Sequence, residues 1–563
     1  AYEDVPAYNH HVVTYKGTLT TNWRFSDIPP TDKNNYIKPQ QQDSDTHFGG
    51  KYPERNKTDT STGTTGKPTE WVRSEAELDT VKRSLKLAAE LQFGKRPLNY
   101  INAFAFGPWA TGLTTYELMR ETGSVFATGP DRAKILDKMI NILKYETHQL
   151  DLAVEAFAAN KPTLTPANKD TIAAFINTVL GGMLKDKDAD FRTVWHTQLL
   201  LLTSDKQDLI LKNNSELYAV AARLNAEKSQ IILAGYPPFL KELTDYATQQ
   251  QVEFGSFSAI AIVGGQAISE AMRDQIVRHG FKQIFSSYGA SDLDINLGVE
   301  SDYEISVRKA IENDPELARE LYGENKGLPM VFHYDPLNYH VECDDEDNLI
   351  FTCARNDRSS PRIRYNLGDK GRIYASSDVQ ALLAKHGIFK KPKVNLPLMF
   401  VWGRDSTVVF VGANLAFTEL ERAVTTHKDL ERDVLKKAFY KVDEEHIEIW
   451  LELKEGVELP TEQNQAAYSF AIWNNLVMLN QDLSYQVAKL DTNTPLPMVR
   501  FFKRGQSPIS EAGGHRKQVL IFEKGVNLEK DYQLPQQDQC LGYALPKTDE
   551  VLVKQDAPSV QLV

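Results

Sequence analysis

Residues 60–69 carry the side chains of this chain best suited to bind phosphate, with the sequence Thr-Ser-Thr-Gly-Thr-Thr-Gly-Lys-Pro-Thr. The two glycines, Gly63 and Gly66, allow tight turns in which successive backbone N–H groups converge on an anion. The hydroxyl groups add hydrogen-bond donors, and Lys67 adds a mobile positive charge. The stretch differs from a Walker A loop, because only two residues separate the glycines and Pro68 follows the lysine. It predicts a polyphosphate-binding loop, with a polar surface turn as the alternative.

A second group of polar and small residues follows the ends of predicted strands. Short apolar runs at 229–234, 259–263 and 282–287 alternate with helical patterns. This alternation predicts a parallel sheet with right-handed crossovers. Ligands of such sheets bind at the carboxyl ends of the strands. Gly264-Gly265-Gln266 and Tyr288-Gly289-Ala290-Ser291-Asp292 both stand at such ends, and we therefore expect them to face a ligand.

The aromatic, glycine-rich stretch at 103–112 has two interpretations. It either forms the wall of a pocket or is a core strand that ends in a turn, because aromatic side chains commonly just fill cores. The pattern alone leaves both open.

The remaining elements must position these residues. Residues 1–50 are predicted to pack on the main domain as an N-terminal arm, 75–94 to form an amphipathic helix, and 131–229 to be mostly helical. Hairpin strands are expected from about 329, including 339–343 and 349–353 around an acidic turn. The predicted class is α/β. It has a large N-terminal domain (1–402) with parallel-containing sheets and a β-hairpin region, a small α+β C-terminal domain (403–524), and an extended tail (525–563).

Composition narrows the function classes. The chain has 563 residues, 41% hydrophobic and 25% charged, with a net charge of −12. This balance argues against a nucleic-acid-binding surface and suits a soluble enzyme. Three cysteines provide no disulfide framework, which favours a reducing cytosol. The sequence has no run approaching 18 apolar residues and no export signal, so we expect a cytoplasmic protein that does not enter a membrane.

Four motifs, in their order along residues 20–525, resemble those of the adenylate-forming enzymes, the superfamily of acyl-CoA ligases, luciferases and peptide-synthetase adenylation domains. Within that superfamily the chain looks most like phenylacetate-CoA ligase. The motifs are Ser61-Thr62-Gly63-Thr64-Thr65-Gly66-Lys67-Pro68 (phosphate loop), Tyr288-Gly289-Ala290-Ser291-Asp292 (Tyr-Gly-x-Thr-Glu), Tyr365-Asn366-Leu367-Gly368-Asp369 (Tyr-Arg-Thr-Gly-Asp), and Gly403-Arg404-Asp405-Ser406 with 411–417 (hinge and first strand of a mobile C-terminal domain).

The resemblance implies a role for each motif. The phosphate loop would hold the β- and γ-phosphates of ATP, and Gly264-Gly265-Gln266 with Tyr288 would frame the adenine. Asp369 would accept hydrogen bonds from the ribose hydroxyls, with Arg404 beside it. Asp292 stands where the family has a Mg²⁺-ligating Glu, and its shorter side chain keeps the hard oxygen that this ion prefers.

The C-terminal region departs from the family pattern. The family usually has a Gly-Lys pair whose lysine bridges the substrate carboxylate and the α-phosphate. Aligning on Gly514 puts His515 in that place, whereas the inserted residues would let Lys517 reach in. Both residues are kept as catalytic candidates, and by resemblance Asp405 is the hinge of the C-terminal domain.

A zinc site is the competing interpretation for His333, His340, Cys343 and Cys353. In a hairpin that turns at 344–348, Cys343 would face Leu349 rather than Cys353. The spacing therefore provides no tetrahedral cluster.

The predicted function is ATP-dependent activation of a carboxylic acid, aryl or otherwise compact, as an acyl-adenylate, with transfer to coenzyme A. The alternatives are transfer to an amine or a carrier-protein thiol, and a non-catalytic nucleotide-binding relative. The expected partners are a small-molecule acid and coenzyme A or another nucleophile, with Mg²⁺ as cofactor and no nucleic acid or membrane. A homodimer is left open.

Overall fold

The computed structural model describes most of the chain. The described residues are 1–17, 22–40, 43–60, 69–106, 110–159, 161–185, 190–265, 267–323, 327–403, 407–410, 413–442, 446–480, 483–484, 487, 496–511, 521–524, 528 and 532–545. Among the helices they form, none is long and apolar enough to cross a bilayer.

The N-terminal arm packs on the main domain, as predicted. It begins with α1 (Pro6–Lys16), and Thr31 forms a bridge to Tyr365, far along the chain. An antiparallel hairpin of β1 (Asn56–Thr60) and β2 (Glu70–Ser74) follows, and α2 (Glu75–Phe93) continues directly from it. Ser74 and Glu77 close a capping box at the start of α2, which fixes where the strand ends and the helix begins.

The next part of the chain starts the large sheet and then leaves it for a helical block with its own core. The block has α4 to α8, as the pattern at 131–229 predicts, and its core includes the fully buried Trp195. The elements are β3 (Leu98–Asn102), α3 (Ala110–Met119), β4 (Ser124–Phe126), α4 (Arg132–Ala158), α5 (Pro166–Lys185), α6 (Phe191–Leu200), α7 (Ser204–Lys212) and α8 (Asn214–Glu227).

The three predicted parallel strands are present and lie side by side. They are β5 (Gln230–Gly235), β6 (Ile260–Gly264) and β7 (Gln283–Tyr288), linked by α9 (Pro237–Gln249) and α10 (Glu270–Arg278). β3 and β4 extend the parallel half beyond β5. All six residues of β5 are buried, as expected for a strand covered by helices on both faces.

The hairpin region belongs to the same sheet rather than to a separate one. Its elements are β8 (Gly298–Val299), α11 (Asp302–Asn313), α12 (Pro315–Tyr322), β9 (Met330–His333), β10 (Tyr339–Cys343), β11 (Asn348–Cys353), β12 (Tyr365–Tyr374), α13 (Ser376–Lys385) and β13 (Leu398–Gly403). With the parallel strands they form one sheet in the order β10-β11-β12-β13-β9-β8-β7-β6-β5-β3-β4. Pairing is parallel from β7 to β4 and antiparallel from β7 to β10.

The C-terminal unit has its own core. Its described elements are β14 (Thr407–Phe410), β15 (Ala413–Ala416), α14 (Phe417–Thr425), α15 (Lys428–Asp433), β16 (Val434–Lys441), β17 (Ile447–Leu453), α16 (Glu462–Leu479), β18 (Met498–Phe502), α17 (Pro508–Glu511), β19 (Ile521–Glu523) and β20 (Cys540–Ala544). Five of these strands form one sheet in the order β19-β16-β17-β18-β20. β20 lies within the segment predicted to be an extended tail (525–563), and it pairs with β18 at the edge of this sheet.

Polar contacts join the two units. The amine of Lys241 on α9 donates to the backbone carbonyls of Glu431 (3.0 Å) and Val434 (3.1 Å). Arg278 on α10 pairs with the Glu431 carboxylate at 2.8 Å, and Asp245 on α9 pairs with Lys454 at 2.5 Å. Charged groups on α9 and α10 therefore hold the C-terminal unit in this arrangement.

Candidate active site

The carboxyl ends of three parallel strands meet at one edge of the large sheet. In the strand register Gly235 lies opposite Val263, and Gly264 lies opposite Ser287. The residues that follow β5, β6 and β7 are therefore neighbours in space, as the sequence predicted. Gly264, Gly265 and the segment from Tyr288 to Asp292 lie along this edge.

Tyr288 and Asp369 are brought together here. The Tyr288 hydroxyl donates to Oδ2 of Asp369 at 2.6 Å. The Tyr288 ring stacks on Phe332 with ring centroids 5.5 Å apart and an interplanar angle of 23°. A buried carboxylate and an oriented aromatic ring thus stand side by side, although 81 residues separate them in the chain.

Two of the predicted glycines are required by the backbone. Gly265 has φ +77°, and a Cβ at this position would lie 2.8 Å from the Tyr236 ring. A Cβ on Gly289 would overlap the carbonyl oxygen of Ile295. Both glycines therefore allow close approaches that side chains would block.

Asp292, four residues after Tyr288, is buried. Its Oδ2 accepts a 3.2 Å hydrogen bond from the Tyr365 hydroxyl. Burial and the nearby Asp292 carboxylate raise the pKa of Tyr365 well above its ordinary value, so Tyr365 remains a donor. Among the described residues no lysine, arginine or histidine forms an ion pair with Asp292. A carboxylate provides the hard oxygen ligand that Mg²⁺ prefers, so the Asp292 side chain fits such a cation.

Arginine side chains hold the backbone of the turn that contains Asp292. The Ser291 carbonyl accepts from Arg73 at 2.5 Å, and the Asp292 carbonyl accepts from Arg362 at 3.0 Å. The Leu293 carbonyl accepts from Arg73 at 2.6 Å and from Arg358 at 3.0 Å. Three successive carbonyls are therefore fixed by charged donors.

The Asp294 carboxylate completes this arrangement. Its Oδ2 accepts from Tyr339 (2.6 Å), Arg355 (2.8 Å) and Arg358 (3.1 Å). Arg358 also lies 3.5 Å from Glu77 near the start of α2. Burial alone would lower the pKa of Arg358, but Glu77 and Asp294 outweigh it and raise that pKa, so the guanidinium stays charged.

Sequence reasoning missed these arginines. Three of them, Arg355, Arg358 and Arg362, lie three and four residues apart in the polar segment after the predicted strand at 349–353. That spacing in an otherwise loop-like stretch was the available signal. Arg73 carried no signal beyond its place in a strand close to the phosphate-loop motif.

The predicted phosphate loop lies between the two strands of the first hairpin. Thr60 at the end of β1 pairs with Glu70 at the start of β2. The two ends of the loop are therefore close together. Arg73 on β2 pairs with Asp59 on β1 at 3.0 Å and reaches the turn at Ser291 and Leu293. The hairpin is thus attached to the segment that carries Tyr288 and Asp292.

Many of the predicted site residues fall outside the described part of the chain. Their positions stay predictions. They are Ser61, Thr62, Gly63, Thr64, Thr65, Gly66, Lys67, Gln266, Arg404, Asp405, His515 and Lys517.

The hairpin register agrees with the argument against a zinc cluster. Cys343 pairs with Leu349, and Cys353 pairs with Tyr339. Within the described residues, no three or more His, Cys, Asp or Glu side chains are grouped so that they could hold a metal.

Comparison with solved structures gives the fold. The chain is similar to 2-hydroxyisobutyryl-CoA ligase in the postadenylation state, in complex with R3-HIB-AMP. The alignment covers 93% of this chain and 86% of the ligase, at 11% identity and with a TM-score of 0.51. This chain has the fold of the adenylate-forming ligases. The same ligase in complex with 2-HIB-AMP aligns with a TM-score of 0.50, at 11% identity and over 93% and 86% of the two chains.

No family model matches the sequence, and no curated protein matches it either. The narrower resemblance to phenylacetate-CoA ligase stays a prediction.

Proposed function

We propose that this protein is an ATP-dependent, AMP-forming ligase that activates a carboxylic acid as its acyl-adenylate. The observation that carries the proposal is the pairing of Tyr288 with Asp369 at the carboxyl edge of the parallel strands. A phosphate-loop motif lies in a hairpin attached to the same turn through Arg73. A nucleoside site and a polyphosphate site would thus be adjacent.

The nucleoside would bind at the Tyr288 side. Asp369 is the acceptor for the ribose hydroxyls, since a buried carboxylate forms strong charge-assisted hydrogen bonds. The Tyr288 hydroxyl fixes the orientation of that carboxylate before the nucleotide arrives. Phe332 in turn fixes the plane of the Tyr288 ring, so the ring offers a prepared surface to the adenine.

The reaction joins the acid to a nucleophile in two steps, and each step forms one bond and breaks one. A carboxylate oxygen of the acid attacks the α-phosphorus, and pyrophosphate leaves. A nucleophile then attacks the acyl carbon, and AMP leaves with the bridging oxygen. The protein's task is to align the reactants and to stabilise the charge on the transferring phosphorus.

Asp292 would hold Mg²⁺ next to the phosphates. The ion, when bound, would neutralise part of the charge of the pyrophosphate leaving group. Arg73 and Arg362 hold the backbone on either side of the Asp292 carboxylate, so its position depends on them.

For the second step we propose coenzyme A as the acceptor and a compact or aryl acid as the substrate. An amine or a carrier-protein thiol would use the same adenylate and is the alternative. The C-terminal unit would move between the two steps about Asp405, just after β13 ends at Gly403. Gly403 has φ +86°, a conformation that favours glycine at the border between the two units.

ATP–pyrophosphate exchange with a panel of carboxylic acids tests the proposal. A ligase exchanges labelled pyrophosphate into ATP only when its acid is present. A non-catalytic relative binds ATP without exchange with any acid, and that result would refute the proposed activity. Adding coenzyme A, an amine or a carrier protein to the active acid then identifies the acceptor.

A further inference from the structure

Among the described arginines that bind residues 291–294, which we call the turn cluster, only Arg73 lies on the phosphate-loop hairpin. Its partners in that cluster, Arg355, Arg358 and Arg362, all follow β11. Arg73 lies on β2, three residues after Glu70, where the strand pairing with Thr60 begins. It is therefore anchored to the frame that holds the ends of the predicted loop.

The guanidinium of Arg73 donates hydrogen bonds both to the hairpin and to the turn. Nε donates to Asp59 Oδ2 at 3.0 Å within the hairpin. The two terminal nitrogens donate to the Leu293 carbonyl at 2.6 Å and to the Ser291 carbonyl at 2.5 Å. A planar group with fixed donor directions holds such partners at set distances, which a flexible lysine amine cannot do.

The hairpin side of this bridge is itself fixed. Asp59 accepts from the Thr114 hydroxyl of α3 at 3.2 Å and lies 3.6 Å from the Lys57 amine. The side chains of Arg73 and Asp59 are only 4% and 2% exposed, so water does not compete for these hydrogen bonds. The bridge is therefore a rigid element, unlike a surface ion pair.

We propose that Arg73 is a positioning residue that sets the distance between the phosphate-loop hairpin and the segment from Tyr288 to Leu293. The inference rests on the proposed function, in which the hairpin binds the β- and γ-phosphates and Tyr288, at the start of that segment, binds the nucleoside. ATP would span both parts, whereas AMP would use only the second. The gain in affinity of ATP over AMP then depends on a fixed separation, as for any two linked binding groups.

The test compares the affinities of Arg73→Lys and the parent for ATP and for AMP, measured by calorimetry without added acid. Lysine keeps the positive charge but lacks the planar guanidinium with its fixed donor directions. The dissociation constant for ATP should rise about tenfold, because only ATP spans both parts, while that for AMP changes much less. The ratio of the two affinities is the readout, because a general loss of folded protein would affect both nucleotides alike.

Arg358→Lys is the matched control. Arg358 donates to the same Leu293 carbonyl and to Asp294, but among the described residues it forms no hydrogen bond or ion pair with the two strands of the hairpin. Its substitution should weaken the binding of ATP and of AMP by similar factors. Asp59→Asn provides a second variant, on the hairpin side. It should lower the ratio of the affinities for ATP and AMP, while Arg73 keeps its hydrogen bonds to the carbonyls of the turn.

Equal losses for ATP and AMP in Arg73→Lys, or no loss for either, would overturn the positioning role. If Arg73→Lys does not fold, an unchanged ATP:AMP ratio in Asp59→Asn would overturn it. A parent protein that binds neither nucleotide would instead refute the proposed function, so the two failures are distinguishable.

Discussion

The hydroxyl of Tyr288 on β7 lies 2.6 Å from the carboxylate of Asp369 on β12, although three strands, β8, β9 and β13, lie between them in the sheet. In a flat sheet, four spacings of about 4.8 Å would hold the two strands roughly 19 Å apart. The contact therefore requires the antiparallel half of the sheet to curl over the end of β7. Phe332 on β9 lines the inside of this curl, where its ring stacks on Tyr288.

Replacing Asp369 by alanine should remove the discrimination between ATP and its deoxy analogue. The carboxylate is expected to accept from the ribose hydroxyls, and loss of charged hydrogen bonds costs about 1.5–3 kcal/mol each. We expect kcat/KM for ATP to fall accordingly in pyrophosphate exchange. The parent should prefer ATP over deoxy-ATP, and the variant should treat them almost equally. A parent that ignores the sugar hydroxyls would contradict this role for Asp369.

Lys67→Ala and Thr64→Ala test the phosphate loop. Each removes a donor to the phosphates, so the KM for ATP in the exchange assay should rise while the protein stays folded. The hairpin register at Thr60 and Glu70 does not depend on either side chain, and thermal unfolding should therefore be little changed. Unaltered ATP kinetics in both variants would show that the stretch is only a polar surface turn.

The three strands that run parallel at 230–288, and the predicted site residues at their carboxyl ends, could be predicted from the sequence. Periodicity and glycine positions suffice for that, because neighbouring strands and their crossovers are determined locally. The contacts of Arg73 with Ser291 and of Tyr288 with Asp369 could not be predicted. They connect residues 218 and 81 positions apart and depend on how the sheet curls, which no local pattern encodes.

The C-terminal boundary illustrates the same limit. The segment after residue 524 is rich in Gln, Pro and Asp, which favours an extended tail. Residues 540–544 nevertheless complete the edge of the five-stranded sheet, where Cys540 and Leu541 pair with Phe502 and Phe501. The strand, Cys-Leu-Gly-Tyr-Ala, is mostly apolar but only five residues long, and the polar residues around it conceal the signal.

The buried amine of Lys241 should make stability depend on pH. Burial, and then the charges of Lys454 and Lys437, lower the pKa of Lys241 to about 7, against about 10.4 for an unfolded lysine. Below pH 7 the amine is charged in both states and the cost of burying the charge is fully present. Between about pH 7 and 10 only the unfolded state keeps the proton, so this group's contribution to the free energy of unfolding rises with pH.

Lys241→Met measures this contribution. The loss of hydrogen bonds to Glu431 and Val434 adds a pH-independent offset, so the slope is the informative quantity. Relative to the parent, the variant's free energy of unfolding should fall by a few kcal/mol between about pH 7 and 10, at about 1.4 kcal/mol per pH unit. Urea unfolding followed by tryptophan fluorescence gives both profiles. Parallel profiles would mean that Lys241 keeps its proton in the folded protein.

Lys517→Ala and His515→Ala identify the cation that meets the α-phosphate. A lysine with the ordinary pKa of about 10.4 is charged at any working pH, and we expect Lys517 to have this role. Lys517→Ala should then depress pyrophosphate exchange but leave the second step, started from synthetic acyl-adenylate, nearly intact. If His515 acts instead, its variant carries the defect, and exchange in the parent falls as pH rises through about 6.5. Normal exchange in both variants would exclude a cation from this segment.

The fate of the carboxylate oxygens tests adenylation most directly. The acid that supports exchange is labelled with oxygen-18 in its carboxylate, and the AMP formed in a complete turnover is analysed by mass spectrometry. The account predicts that each AMP carries one labelled oxygen, because the acid attacks the α-phosphorus and AMP leaves with the bridging atom. Unlabelled AMP, or ADP and phosphate in place of AMP and pyrophosphate, would contradict the proposed reaction.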